Sequence, residues 1–161
     1  MNRKEYLDSL PKKFMAAGAL FLNERKEVLI VHPSYKKDWE IPGGIVELNE
    51  SPKAACEREI HEELGLVIKI EDLLCIDHSF TEENVENLQF VFFGGILSQD
   101  QINDIVLPDK ELNSLEFIPF VTKEDKEKIN QRPRLGKRLL HALKALEQNS
   151  TVYLERSEKV N

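Results

Sequence analysis

The stretch Gly43–Leu66, GGIVELNESPKAACEREIHEELGL, restricts what this chain can fold into more than any other. It carries both ends of a helix. Ser51 stands where an N-cap belongs, and Pro52 follows at the first helical position, where its missing N–H costs nothing. Gly65 stands where a left-handed residue would end the helix. Cys56, Ile60 and Leu64 recur at i, i+4 and i+8 as an apolar stripe for packing. Glu59, Glu62 and Glu63 lie at i, i+3 and i+4, and at about 100° per residue they share one face. Lys53, Glu57 and His61 fall roughly opposite and read as ordinary exposed positions. Like charges so spaced destabilise an isolated helix by about 0.2–0.5 kcal/mol per pair. One reading is a solvated acidic face. The other is a face that collects a hard divalent ion such as Mg²⁺ or Mn²⁺. Arg58 adjoins the cluster and can neutralise or orient a carboxylate. Pro42-Gly43-Gly44 reads as a loop whose backbone can approach a ligand closely, because glycine has no Cβ.

These residues fill the pattern G-x5-E-x7-R-E-U-x-E-E-x-G-U, with U a bulky apolar residue, through Gly44, Glu50, Arg58, Glu59, Ile60, Glu62, Glu63, Gly65 and Leu66. The stretch resembles the box of the Nudix (MutT-like) hydrolases, without a gap or a substitution. Trp39-Glu40-Ile41-Pro42 before it and Glu47 within it are also similar to that family. The resemblance implies hydrolysis of a nucleoside diphosphate linked to another group. It implies Mg²⁺ or Mn²⁺ held by Glu59, Glu62 and Glu63, with the Gly44 carbonyl and Glu47 as further contacts. It also implies that Arg58 orients the carboxylates, aided by Glu50, and that Gly65 is structural. One carboxylate would act as general base: Glu63 in the box, or Glu111 or Glu116 downstream, whose competing reading is a plain surface carboxylate.

Net charge is −7, and Gly44–Leu66 holds six acidic against two basic residues, so over half of the excess lies in this stretch. General nucleic-acid binding through phosphates is disfavoured. A phosphate-bearing substrate could approach the box only with bound cations. With 161 residues, 41% hydrophobic and 32% charged, the chain suits one domain, read here as residues 1–161. Cys56 and Cys75 offer neither a disulfide framework nor metal spacing, which suits a reducing cytosol. MNRKEYLDSL lacks a signal peptide's apolar core, and no apolar run is long enough for a membrane span. A cytoplasmic enzyme acting on a small nucleotide, with no membrane or nucleic-acid partner, is expected. The oligomeric state stays open, a homodimer included.

Along the chain, residues 1–13 read as a short helix or ordered lead-in. Phe14–Leu22 and Val28–His32 read as a strand pair across Asn23–Lys26. Trp39–Ile41, Val67–Ile70, Leu73–Phe80, Leu88–Leu97 and Leu115–Phe120 also read as strands, with Gly94-Gly95 a bulge. Thr81–Asn87 and Ser98–Ser114 read as loops. Thr122 can cap a short helix Lys123–Ile129. Leu135, Leu139, Leu143 and Leu146 give an amphipathic helix at about 133–147, followed by an edge strand Thr151–Glu155 and a frayed end. Strands interleaved with helices predict an α/β/α sandwich around a mixed sheet, the architecture that the resemblance also implies.

The substrate pocket is less legible. Trp39 and Tyr35 flank the glycine loop and could stack on a base or sugar, against core packing for Trp39. Lys36 and Lys37 could hold a distal phosphate, and Arg132 and Arg134 an anion, against simple solvation. The downstream proline of ADP-ribose-type members has no counterpart in His78–Glu83. The tyrosine of dinucleoside-polyphosphate members is also absent. Nucleoside triphosphates and nucleotide sugars remain. Two other classes share the fold. A non-catalytic ligand sensor usually loses box carboxylates that this chain keeps, and an isoprenoid-type diphosphate isomerase needs a pocket cysteine.

Overall fold

The computed structural model describes residues 2–35, 37–81, 83–107, 111–132 and 135–160. In chain order the elements are α1 (Arg3–Ser9), β1 (Phe14–Asn23), β2 (Val28–Pro33), β3 (Gly43–Ile45), α2 (Pro52–Leu64), β4 (Leu73–Phe80) and β5 (Glu86–Leu97). They continue with α3 (Gln99–Asn103), β6 (Leu112–Ile118), α4 (Lys123–Asn130), α5 (Gly136–Glu147), β7 (Val152–Glu155) and β8 (Glu158–Lys159). The sheet runs β6-β2-β1-β5-β4-β7-β8, with β3 beside β1. It is mixed: β1–β5 and β4–β7 are parallel, and the other pairings are antiparallel.

Strand periodicity builds the layers. Ala17, Ala19 and Phe21 of β1, with Leu29 and Val31 of β2, face one core, which α2 closes through Ala55, Cys56, Ile60 and Leu64. Leu20, Leu22, Val28 and Ile30 face the other, which α4 and α5 close through Ile129, Leu139, Ala142 and Leu143. A sheet covered on both faces needs apolar residues at both parities, hence the unbroken runs in β1 and β2. Each fully buried Leu or Ile contributes about 1.5–3 kcal/mol. The expected α/β/α sandwich around a mixed sheet is the observed one. No described helix is long and apolar enough to cross a membrane.

Several local expectations change. Of Trp39–Ile41, only Glu40 joins the sheet, as an isolated bridge to Val31. The ladder resumes in Gly43–Ile45, whose two glycines were read as loop with Pro42, because these residues pair with Ala16–Gly18 of β1. Leu66–Ile70 alternates in burial as a strand would, yet has no strand partner. The Ile70 N–H donates instead to Glu57 Oε1 at 2.8 Å, so Glu57 is not an idle surface residue. Alternation reports burial, and pairing needs a free edge. Ser98–Ser114, read as loop, contains α3 and the start of β6. The Ser98/Gln101 capping box of α3 was a visible signal. The expected bulge is there: pairing with β1 skips Gly94, from Leu20↔Phe93 to Phe21↔Gly95. Helix α5 begins at Gly136, and Glu158–Lys159, read as part of a frayed end, pair back on β7 as β8.

Candidate active site

Helix α2 is fixed at both ends. Ser51 Oγ accepts the Ala54 N–H at 3.1 Å, and Gly65 ends the helix at φ 69°, its N–H donating to His61 O at 3.0 Å. Burial of Cys56, Ile60 and Leu64 then sets its rotation, leaving Arg58, Glu59, Glu62 and Glu63 along the border with β3. The two glycines of β3 permit the approach. Gly43, at φ 150°, lies so close to β1 that a Cβ there would stand 2.3 Å from Ala17 O. A Cβ on Gly44 would stand 2.4 Å from the Glu59 carboxylate. The Gly43 N–H donates to Glu63 Oε2 at 2.8 Å.

Arg58 is the hub. It forks onto Glu50, Nε to Oε1 at 2.9 Å and Nη2 to Oε2 at 3.1 Å. Its Nη1 donates to Glu59 Oε1 at 2.8 Å and to Glu62 Oε2 at 2.9 Å, and Nη2 also reaches Ile45 O at 3.1 Å. Charge-assisted, forked bonds of this kind are the strong and orienting ones. Arg58 holds the Glu50 carboxyl below its usual range, helped by the Glu47 N–H. In return, Glu50 first and then Glu59 and Glu62 hold the guanidinium firmly protonated.

Glu59 and Glu63 move the other way. Burial raises the Glu59 carboxyl above its usual range, Arg58 opposes this, and the charges of Glu62 and Glu111 add to it. Burial pushes the Glu63 carboxyl up to about 7, opposed by the Gly43 N–H and reinforced by Glu59, Glu111 and Glu40. An acid near 7 can take or give a proton at neutral pH. The donors offered to a metal are thus all hard oxygens, and burial first, with neighbouring carboxylates adding to it, disfavours ionisation of Glu59 and Glu63. That is the chemistry a divalent cation relieves. In the described arrangement, Glu59 and Glu62 turn to Arg58 and Glu63 to Gly43. No three described His, Cys, Asp or Glu side chains already form a metal cage.

On the side away from α2, Gly43 and Gly44 also wall a cleft of about 490 Å³. Trp39, Tyr35, Phe14, Phe80 and Phe90 line it, so both aromatic rings singled out in the sequence border the same space as the glycines. The Trp39 ring also lies 5.0 Å from that of His32, and Arg132 stands over it at 5.7 Å. Lys36 and Arg134 lie outside the described residues. Glu47 is exposed, reaching the network through its N–H to Glu50 Oε2 at 3.1 Å. Glu111 is exposed and bears electrostatically on Glu59 and Glu63. Glu116 is exposed, opposite Ile30 on the edge strand β6. Cys56 and Cys75 are buried with thiols pushed up to about 12, and neither lines the cleft.

The sequence reading missed Glu40, which lines the cleft and acts on Glu63, and a group contributed by the end of the chain. Asp77 on β4 is fully buried, and it accepts Arg138 Nε at 2.8 Å, Ser157 N–H at 2.9 Å and Ser157 Oγ at 2.8 Å. Arg138, Arg156 and Ser157 all line the cleft. A lone carboxylate inside the apolar strand LLCIDHSF was the available signal, since buried Asp is rare unless paired.

A three-layer sandwich with this acidic helix edge against a glycine strand defines a class, and comparison places the chain within it. Residues 12–138 match the family model described as NUDIX domain. The chain belongs to the Nudix family of hydrolases. A "Probable DHNTP pyrophosphohydrolase" of Lactococcus lactis subsp. cremoris is 32% identical over 126 residues, 75% of this chain and 72% of that one. A "MutT-like protein" of Streptomyces ambofaciens is 27% identical over 73 residues, 45% of this chain and under half of that protein, 47%. The crystal structure of a MutT protein from Methanosarcina mazei Go1 superposes with a TM-score of 0.66 at 25% identity, covering 88% of this chain and 99% of that one.

Proposed function

We propose that this chain is a pyrophosphohydrolase dependent on Mg²⁺ or Mn²⁺. It would cleave the phosphoanhydride of a nucleoside diphosphate linked to another group, a nucleoside triphosphate or a nucleotide sugar. The observation that carries this reading is the set of crowded carboxylates held against the glycine wall of an aromatic cleft. Glu59, Glu62 and Glu63, with the Gly44 carbonyl and Glu47 at the margin, are the donors that would hold the ion. When bound, the ion supplies charge neutralisation for the diphosphate and its transition state. Arg58 holds Glu59 and Glu62 in place and is itself anchored by Glu50. Glu63, with its carboxyl near 7, is suited to take a proton from the attacking water, and Glu111 is the second candidate for that base. Tyr35 and Trp39 offer faces for the nucleoside. Two free, buried cysteines suit the cytosol.

A second reading, a ligand-sensing protein on the same fold, draws on one observation. Arg58 already occupies Glu59 and Glu62, so the face could persist without metal. One experiment addresses both. The purified protein is incubated with a panel of nucleoside diphosphate derivatives and Mg²⁺ in ¹⁸O-water, with and without chelator. Turnover that needs the ion and puts ¹⁸O on one phosphorus supports the hydrolase. Full activity in chelator, or hydrolysis of phosphomonoesters alone, overturns it. Nucleotide binding without turnover favours the sensor.

A further inference from the structure

The last hairpin of the chain holds a cation at the rim of the cleft. The ladder Leu154↔Lys159 and Glu155↔Glu158 leaves Arg156-Ser157 as a two-residue turn, with φ of 51° and 64°. Turns with two left-handed residues favour Asn-Gly, and a non-glycine pair there costs free energy that the surroundings must offset. Here the surroundings are specific. Ser157 is locked onto buried Asp77 by its N–H and hydroxyl, and the Arg156 N–H donates to His78 O at 2.9 Å. The result is an Arg156 guanidinium standing 4.6 Å over the Phe80 ring.

Among the described residues, no carboxylate lies within ion-pair distance of Arg156. The flanking acids are engaged elsewhere, Glu155 by the Tyr153 hydroxyl and Glu158 by Lys137. Arg138, the other cation among the described residues lining the cleft, is taken up by Asp77. Away from its glycine wall, the cleft therefore carries a guanidinium that no carboxylate among the described residues pairs. An arginine stacked on a ring keeps its N–H edge free, in the fork geometry that matches a pair of oxyanion oxygens.

We propose that Arg156, presented by the Asp77-anchored turn, is a metal-independent oxyanion subsite of the cleft. It takes a phosphate or carboxylate that the substrate carries away from its scissile anhydride. The assignment builds on the hydrolase reading but can be tested apart from it. In chelator, with arginine side chains labelled with ¹⁵N, inorganic phosphate and acetate are titrated separately, so the two oxyanion sources are told apart. The Arg156 Nε–H signal should shift and saturate with at least one of them, at about a tenth of the concentration needed at exposed Arg3. Trp39 fluorescence should follow the same curve in the parent and lose it in Arg156→Gln. An Arg156 response no stronger than that of Arg3, or a Trp39 response that survives in Arg156→Gln, overturns the subsite. Where turnover is found, Arg156→Gln should raise KM about tenfold for a substrate bearing a remote phosphate. It should leave KM unchanged for the matched substrate without that group. Absence of any turnover would count against the hydrolase and leave the phosphate and acetate titrations to decide the subsite.

Discussion

Replacing Glu63 by Gln should leave the metal-free protein unchanged near pH 4 and stabilise it increasingly from about pH 4.5 up to about 7 and beyond. The Glu63 carboxyl moves from 4.5 to about 7 on folding, chiefly through burial and then through Glu59, Glu111 and Glu40. An acid whose pKa is raised in the native state holds its proton more tightly folded than unfolded. Its contribution to stability is therefore full below about pH 4.5 and is lost as pH rises through about 7. At 1.36 kcal/mol per pH unit, the loss amounts to about 3 kcal/mol at pH 8. Glutamine keeps the acceptor for the Gly43 N–H and cannot ionise, so the variant escapes that loss. Urea unfolding in chelator from pH 4 to 8 measures it as the difference between the two profiles, in which Glu59, Glu111 and Glu40, each coupled to Glu63, take a smaller part. The two stabilities should coincide near pH 4 and part by about 3 kcal/mol at pH 8, about 6–12 °C in Tm for a chain of this size. Parallel pH profiles would refute the buried, crowded environment assigned to Glu63. Turnover should meanwhile fall steeply, since the variant can neither ligate as a carboxylate nor accept a proton.

Gly44→Ala puts a methyl 2.4 Å from a carboxylate that Arg58 pins at 2.8 Å, so it should cost about 1–3 kcal/mol in urea melts and more than tenfold in turnover. Parent-like melts and rates would mean that Glu59 is free to move aside. Glu62→Gln should cut turnover by orders of magnitude. Its metal-free stability should stay within about 1 kcal/mol, because relief of repulsion is offset by a half-exposed ion pair lost to Arg58. Added Mg²⁺ should raise its Tm less than the parent's. A variant that melts early and turns over normally would mark Glu62 as structural.

The elements whose information is local were open to reading. Helix α2 carries its caps, stripe and acidic edge within Ser51–Gly65, and the bulge at Gly94 and the Thr122 cap of α4 are equally local. Apolar runs likewise identified β1, β2 and β4, because a strand buried on both faces is written residue by residue. What depended on partners was not. Whether Val67–Ile70 or Gly43–Ile45 becomes a strand turns on which edge of β1 is free, and no window of sequence contains that edge. Glu57 and Glu40 take their roles from Ile70 and Glu63, thirteen and twenty-three positions away. Arg156 takes its place from Asp77, about eighty positions before it in the chain. Composition and spacing determined that a carboxylate face exists. Only tertiary packing decided that burial would raise Glu59 and Glu63 and that the last hairpin would face the cleft. Desolvation and Coulomb forces act through space, whereas a sequence orders residues only along the chain.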